Sequence, residues 1–199
     1  MFPLESVLLP GVRMPLHVFE ERYRVMTRQC LDSDRTFGVV LIERGREVGG
    51  GDVRAGYGTT AVIEADSSLP DGHFALVCRG EHRLQVGEWL LDDPYPQAMV
   101  EIFDEPEADP DAGDLALAES AVRRAWGLLS ELGASSPQAL STGTLVGSSW
   151  LWSSLAPLSP IDQLALLKAA TATKRLRLVA QLSDAVAEDA RRLLAEHPR

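Results

Sequence analysis

The stretch Pro15-Leu16-His17-Val18-Phe19-Glu20-Glu21-Arg22-Tyr23-Arg24-Val25-Met26-Thr27-Arg28-Gln29-Cys30-Leu31 changes character at Glu20. From that point Phe19, Tyr23, Met26, Cys30 and Leu31 fall on one face at near-3.6 spacing, while Glu21, Arg24 and Arg28 point away. The spacing predicts an amphipathic helix over Glu20 to Leu31. Its narrow apolar stripe needs a partner, and the sequence that follows offers a sheet.

Thr36-Phe37-Gly38-Val39-Val40-Leu41-Ile42 is β-branched and continuous enough for a buried strand, and Gly45 to Gly51, with four glycines, reads as a loop. Tyr57 to Glu64 reads as the next strand and Pro70-Asp71-Gly72 as a turn. Phe74 to Cys78 and Leu84 to Leu90 flank Gly80-Glu81-His82, which predicts a hairpin, and Ala98 to Ile102 alternates like one more strand. The expected product is a small, largely antiparallel barrel carrying one helix.

Beyond residue 103 the composition shifts. Residues 104–114 hold six acidic residues, two prolines and no base, which predicts an exposed acidic connector between a barrel over 1–103 and a helical bundle over 115–199. In the bundle, Leu115, Ala118, Val122, Ala125, Leu128, Leu129 and Leu132 form a stripe that stops at Gly133, a C′ residue. A shorter helix is expected over Leu145 to Leu155. Ser159-Pro160-Ile161-Asp162 is a helix start, with serine as N-cap and proline at the first helical position; Ile161, Leu164 and Leu167 then run to a break near Thr171 to Thr173. The final segment puts Leu176, Val179, Leu182, Val186, Ala190 and Leu193 on one face, with Arg175, Arg177, Arg191 and Arg192 mostly elsewhere. The fold class expected is α+β.

Charge and chemistry narrow the function. Net charge is −10, and all of the nineteen basic residues except Lys168 and Lys174 are arginine, a balance that argues against nucleic acid as partner. No apolar run is long enough to cross a bilayer, and the start Met1-Phe2-Pro3-Leu4-Glu5 lacks the pattern of a secretory signal. A cytoplasmic protein with two reduced, buried thiols, Cys30 and Cys78, is expected.

Catalytic patterns fail on inspection. Neither lysine follows a glycine, as a phosphate-cradling P-loop requires. Ser159 with Lys168, or Ser183 with Lys174, could pair on paper as a serine-lysine dyad, but each sits in a helix-cap or helix-surface pattern. Gly147-Ser148-Ser149-Trp150 lacks the spacing of a nucleophile elbow. His73, Cys78 and His82 are one ligand short of a tetrahedral zinc site. The Gly49-Gly50-Gly51 loop precedes no helix that would supply an anion-binding dipole. The expectation is no catalytic residue, no metal and no cofactor.

Several motifs stand in register with those of one family: Phe2-Pro3-Leu4, Val7-Leu8-Leu9-Pro10-Gly11, the Pro15 to Met26 segment, Phe37 to Ile42, Val48-Gly49-Gly50, Gly58-Thr59-Thr60-Ala61, Leu69-Pro70-Asp71-Gly72 and Pro94-Tyr95-Pro96. Pro160-Ile161-Asp162-Gln163-Leu164 and Arg175-Leu176-Arg177-Leu178 continue the match. In these motifs the chain resembles the amino-terminal, substrate-recognition domain of the Lon protease family. The match is weakest between Asp104 and Leu155. The resemblance implies a PUA-like β-barrel with an added helical bundle, and a non-catalytic domain that engages unfolded or tagged polypeptide segments. Ending at Arg199, the chain reads as a stand-alone member without ATPase or protease, with a shortened first strand.

Such a domain would capture peptides on a groove or sheet edge. The candidate groove lies beside the helix near Phe19 and draws on Leu16, His17, Phe19, Arg22 and Tyr23. Each also has a plain packing role, Phe19 and Tyr23 in the core and Arg22 in an ion pair with Glu20. Trp150 and Trp152 are a second candidate surface, with bundle packing as the alternative. Two further readings stand beside peptide binding: an adaptor for a separate protease or chaperone, and a small-molecule or RNA pocket of the kind PUA-like barrels carry elsewhere.

Overall fold

A computed structural model describes residues 1–45, 53–103, 110–137 and 149–196. The elements are β1 (Phe2–Leu4), β2 (Arg13–Val18), α1 (Glu21–Leu31), β3 (Thr36–Arg44), β4 (Val53–Ser68), β5 (Phe74–Trp89), β6 (Ala98–Phe103), α2 (Ala112–Glu131), α3 (Ser149–Leu155), α4 (Pro160–Lys168) and α5 (Ala172–Glu196). The chain divides into two compact units, Met1–Glu105 and Pro106–Arg199.

In the first unit the six strands form one curled sheet in the order β1-β3-β4-β5-β2, with β6 also on β5. Strand β5 has sixteen residues and serves two neighbours on one side. Its first part, Phe74 to Arg79, pairs with β2, and Arg83 to Trp89 pairs with β6. Along its other side β5 pairs with β4. The hairpin expected at Gly80-Glu81-His82 is therefore absent, because the strand runs straight through it. Gly80 serves a close approach instead: a Cβ there would stand 2.4 Å from the carbonyl oxygen of Leu9. The Gly80 amide donates to the Val12 carbonyl and the Gly80 carbonyl accepts from Gly11, at 2.9 and 2.8 Å. The real hairpin lies between β4 and β5, closed by the Leu69 amide on the His73 carbonyl at 2.9 Å, where Pro70-Asp71-Gly72 predicts a turn.

Two further strand findings differ from expectation. Strand β1 pairs parallel with β3, Phe2 opposite Val39, so the sheet is mixed. Arg13–Val18, not expected as a strand, is β2 and pairs antiparallel with β5. Its alternation is plain in retrospect: Met14, Leu16 and Val18 turn inward, while Arg13, Pro15 and His17 are exposed.

Helix α1 lays Tyr23, Met26, Thr27 and Cys30 on the sheet, over a core that includes Phe2, Leu8, Val18, Phe37, Ile63 and Leu76. Burying each such side chain stabilises by about 1.5–3 kcal/mol. Phe19, expected on that face, lies before the helix and is 46% exposed. Both cysteines are buried and free. Desolvation raises both thiols, Cys78 to about 12.

In the second unit α2, α3, α4 and α5 surround Ala118, Val122, Trp152, Leu155, Leu166, Leu176 and Val179. Ala112 to Asp114, expected in the connector, form the first turn of α2, because the Asp111 side chain caps it by accepting from the Gly113 and Asp114 amides. The rest of the acidic run, 104–109, lies outside the described residues, as do 46–51 of the glycine loop and 145–148 at the start of the third helix. At the end of α2, the Gly133 amide donates to Ser130 and the Ala134 amide to Leu129, and Gly133 has φ +95°. These are the paired bonds of a Schellman stop. Ser159 caps α4 by accepting from the Asp162 amide. The buried face of α5 is Arg175, Leu176, Val179, Ala180, Ser183, Ala187 and Ala190. The expected stripe is thus shifted: Leu193 is exposed and Val186 half-buried. Arg175, expected outside, is buried with its guanidinium 3.5 Å from the Trp150 ring centroid.

Candidate peptide-binding site

Strand β2 is the last strand on its end of the sheet path, and a pocket opens on each of its faces. The inner one, about 200 Å³, is lined by Phe2 and Leu4 of β1, by Met14 to Glu20, and by Tyr23 of α1. The outer one is a broader trough of about 520 Å³, on the solvent face shared by β2, β5 and β4. Register explains its apolar floor. Pro15 lies opposite Val77 and Val77 opposite Ala65; His17 lies opposite Ala75 and Ala75 opposite Ser67. Val77 is 38% exposed, an apolar side chain on a sheet face where water would favour a polar one.

Three rings stand at one end. His17 lies 5.2 Å from His73 and 5.9 Å from Phe19, and Phe19 lies 6.3 Å from His73. His73 is held by Asp71 at 3.0 Å. At the other end Glu64 bridges Arg13 of β2 and Arg79 of β5, at 2.6 and 2.7 Å. The hydrogen bond from Arg13, then that from Arg79, holds the Glu64 carboxyl below the usual carboxylate range.

The residues expected to bind fall into three groups. Leu16, His17 and Phe19 line the pockets and are half-buried or exposed. Tyr23 reaches the inner pocket only as wall; it is 3% exposed and stacks on Phe2 at 4.4 Å. Arg22 is occupied, paired with Glu20 at 3.1 Å and lying over the Tyr23 ring at 4.6 Å. Trp150 and Trp152 belong to the bundle core: Trp152 is fully buried and Trp150 is covered by Arg175. Burial leaves these two tryptophans no face for a ligand.

Sequence reasoning missed Met14, His73, Ala75 and Val77. The signal for Met14 is the two-residue alternation through Arg13 to Val18, in which Pro15 marks an edge strand. For Ala75 and Val77 the signal was apolar character at both parities of β5.

Ser159 Oγ donates to Asp162 Oδ2 at 2.7 Å in the helix cap, and Ser183 is packed on the buried face of α5. Among the described residues no group of three or more His, Cys, Asp or Glu side chains could hold a metal ion, and no helix is long and apolar enough to cross a membrane.

Comparison with known proteins places this architecture. Residues 1–184 match the family model for the ATP-dependent protease La (LON) substrate-binding domain. A crystal structure of a Lon N-terminal domain protein from Xanthomonas campestris superposes with a TM-score of 0.66 at 30% identity, covering 90% of this chain and 95% of that one. The N-terminal domain of a Mycobacterium avium complex Lon protease shares the fold, with a TM-score of 0.54 at 21% identity, over 90% of this chain and 94% of that one. Lon protease 2 of Herpetosiphon aurantiacus is 31% identical over 103 residues, 51% of this chain and 12% of the relative's length. The chain therefore spans about an eighth of that protease. Built as a curled sheet with one helix and a helical unit after it, and matched from its first residue to residue 184, the chain belongs to the Lon substrate-binding domain family.

Proposed function

We propose that this chain is a non-catalytic recognition module that engages extended, apolar segments of unfolded polypeptides at the two pockets flanking β2. Family membership supports substrate recognition as the role. The observation that carries the location is the exposed apolar set Pro15, Phe19 and Val77 at an edge strand, where a protein with no ligand would place polar groups. The partner that follows from this role is a protease or chaperone to which captured segments are presented. RNA is the disfavoured ligand, because net charge is −10 and the lining holds the carboxylates Glu20 and Asp66 but no lysine or arginine.

The test is titration of reduced, alkylated casein against the chain, with a folded protein of similar size as control. Saturable micromolar binding to the unfolded client, weakened by Phe19→Ala, is the expected result. Equal binding of folded and unfolded proteins, or none to either, removes the proposal.

A further inference from the structure

The two pockets share β2 as their common wall, and the outer edge of that strand carries hydrogen-bonding groups of its own. The Gly80 amide donates to the Val12 carbonyl, which turns Val12 toward β5. In an antiparallel ladder the direction of the backbone groups alternates, so Met14, Leu16 and Val18 also face β5. Arg13, Pro15 and His17 then face the opposite way. Pro15 fits this phase and no other, since its missing amide would break the ladder if it faced β5. The outer edge thus presents the amides of Arg13 and His17 and the carbonyls of Arg13, Pro15 and His17. Outside the β2–β5 ladder none of these has a backbone partner among the described residues.

Side-chain placement agrees with the backbone. A strand laid along this edge points alternate side chains to the two faces of the sheet. One set would meet the inner pocket, walled by Phe2, Leu4 and Tyr23, and the other the outer trough, floored by Ala75 and Val77, while Pro15, Leu16 and His17 border both. Charge selects the occupant further at long range: the lining carboxylates Glu20 and Asp66 are paired with Arg22 and Arg35 at 3.1 and 2.6 Å, and it is the chain's net charge of −10 that favours a basic segment.

We infer that the substrate segment binds as an added β-strand on the outer edge of β2, and that the preferred segment is apolar with lysine or arginine at its flanks. The inference rests on the proposed peptide-binding role and specifies how that role is performed. Backbone pairing makes the interaction tolerant of sequence, while the two pockets require side chains on both faces of the segment.

The experiment uses the full chain and a set of synthetic nine-residue peptides of alternating Val and Leu. One peptide has lysine flanks, one glutamate flanks, and two lysine-flanked versions carry backbone N-methyl groups on alternate residues, in opposite phases. Fluorescence anisotropy should show one N-methyl phase weakening affinity by about tenfold or more, with the other changed by no more than about twofold, because only one phase points its amides at β2. The glutamate-flanked peptide should bind several-fold more weakly, and the difference should shrink at high salt. Loss of binding in both phases or in neither, with the parent peptide still bound, overturns the added strand and leaves peptide recognition standing. Binding favoured by glutamate flanks overturns the charge preference. No binding of any peptide, nor of unfolded casein, overturns both the mode and the role.

Discussion

The imidazoles of His17 and His73 meet edge to face with ring centroids 5.2 Å apart, joining the edge strand β2 to the start of β5. Phe19 completes the group and, unlike its neighbours on α1, spends nearly half of its surface on water. An aromatic side chain held there by two histidines costs solvation and returns little packing within the chain. It suits an incoming apolar side chain.

Phe19→Ala should therefore weaken peptide binding by about tenfold while costing only about 1 kcal/mol of stability, since nearly half of the residue already meets water. Tyr23→Ala should do the opposite. It removes a ring 3% exposed and stacked on Phe2, at a cost of about 3–5 kcal/mol. Paired thermal melts and binding isotherms separate the two. Equal loss of stability in both variants contradicts the assignment of Phe19 to the binding surface.

The thiols give a second expectation. Cys78 is fully buried and burial pushes its thiol to about 12, and Cys30 is raised by the same cause while its Sγ lies 3.4 Å from the Thr36 carbonyl oxygen. Thiolate is the reacting form, so iodoacetamide at pH 8 should label neither cysteine in the folded chain over a time that labels both in denaturant. Rapid native labelling of Cys78 would show that the β5 core is open.

Acid should act on unit one through its ion pairs. Glu64 is held low first by the Arg13 bond, and Asp92 is held low first by the Arg54 bond. Both carboxylates are more acidic folded than unfolded. Their contribution is complete above the ordinary carboxylate range near about 4 and disappears as pH falls through the folded values. Glu64→Gln should flatten the loss of stability below about pH 4 and leave its slope at neutral pH unchanged. A variant as acid-sensitive as the parent contradicts the role given to the Arg13–Glu64–Arg79 group.

In the helical unit, Ser159→Ala removes the α4 cap and should cost about 1 kcal/mol. Trp152→Ala empties a fully buried site and should cost about 3–5 kcal/mol. Neither should alter peptide affinity at temperatures where the chain stays folded. If Trp152→Ala abolishes binding while the fold persists, the ligand surface lies on the bundle.

The sequence was most legible where one local rule decides the outcome. Ser159-Pro160 as a helix start, Gly133 as a helix stop and the Tyr23, Met26 and Cys30 part of the α1 stripe depend on neighbours within a few residues, and each stands where the local pattern puts it, whereas Phe19 falls outside the helix. Legibility failed where a distant backbone decides. Gly80 reads as a turn residue, yet its small size serves the carbonyl of Leu9. Arg175 reads as a surface charge, yet the Trp150 face and the Ser149 hydroxyl, 2.6 Å away, receive it inside. The site shows the same division. Leu16, His17 and Phe19 were visible in one segment, whereas Val77 and His73 join them only through the β2–β5 register.

The most direct measurement is the amide and methyl NMR spectrum of the full, isotope-labelled chain during titration with a lysine-flanked apolar peptide. Saturable shifts should concentrate at Met14 to Phe19 and at Ala75 to Val77, with slowed amide exchange at Arg13 and His17. Shifts confined to the helical unit, or a spectrum unchanged at millimolar peptide, would contradict β2 as the place where this chain meets its substrates.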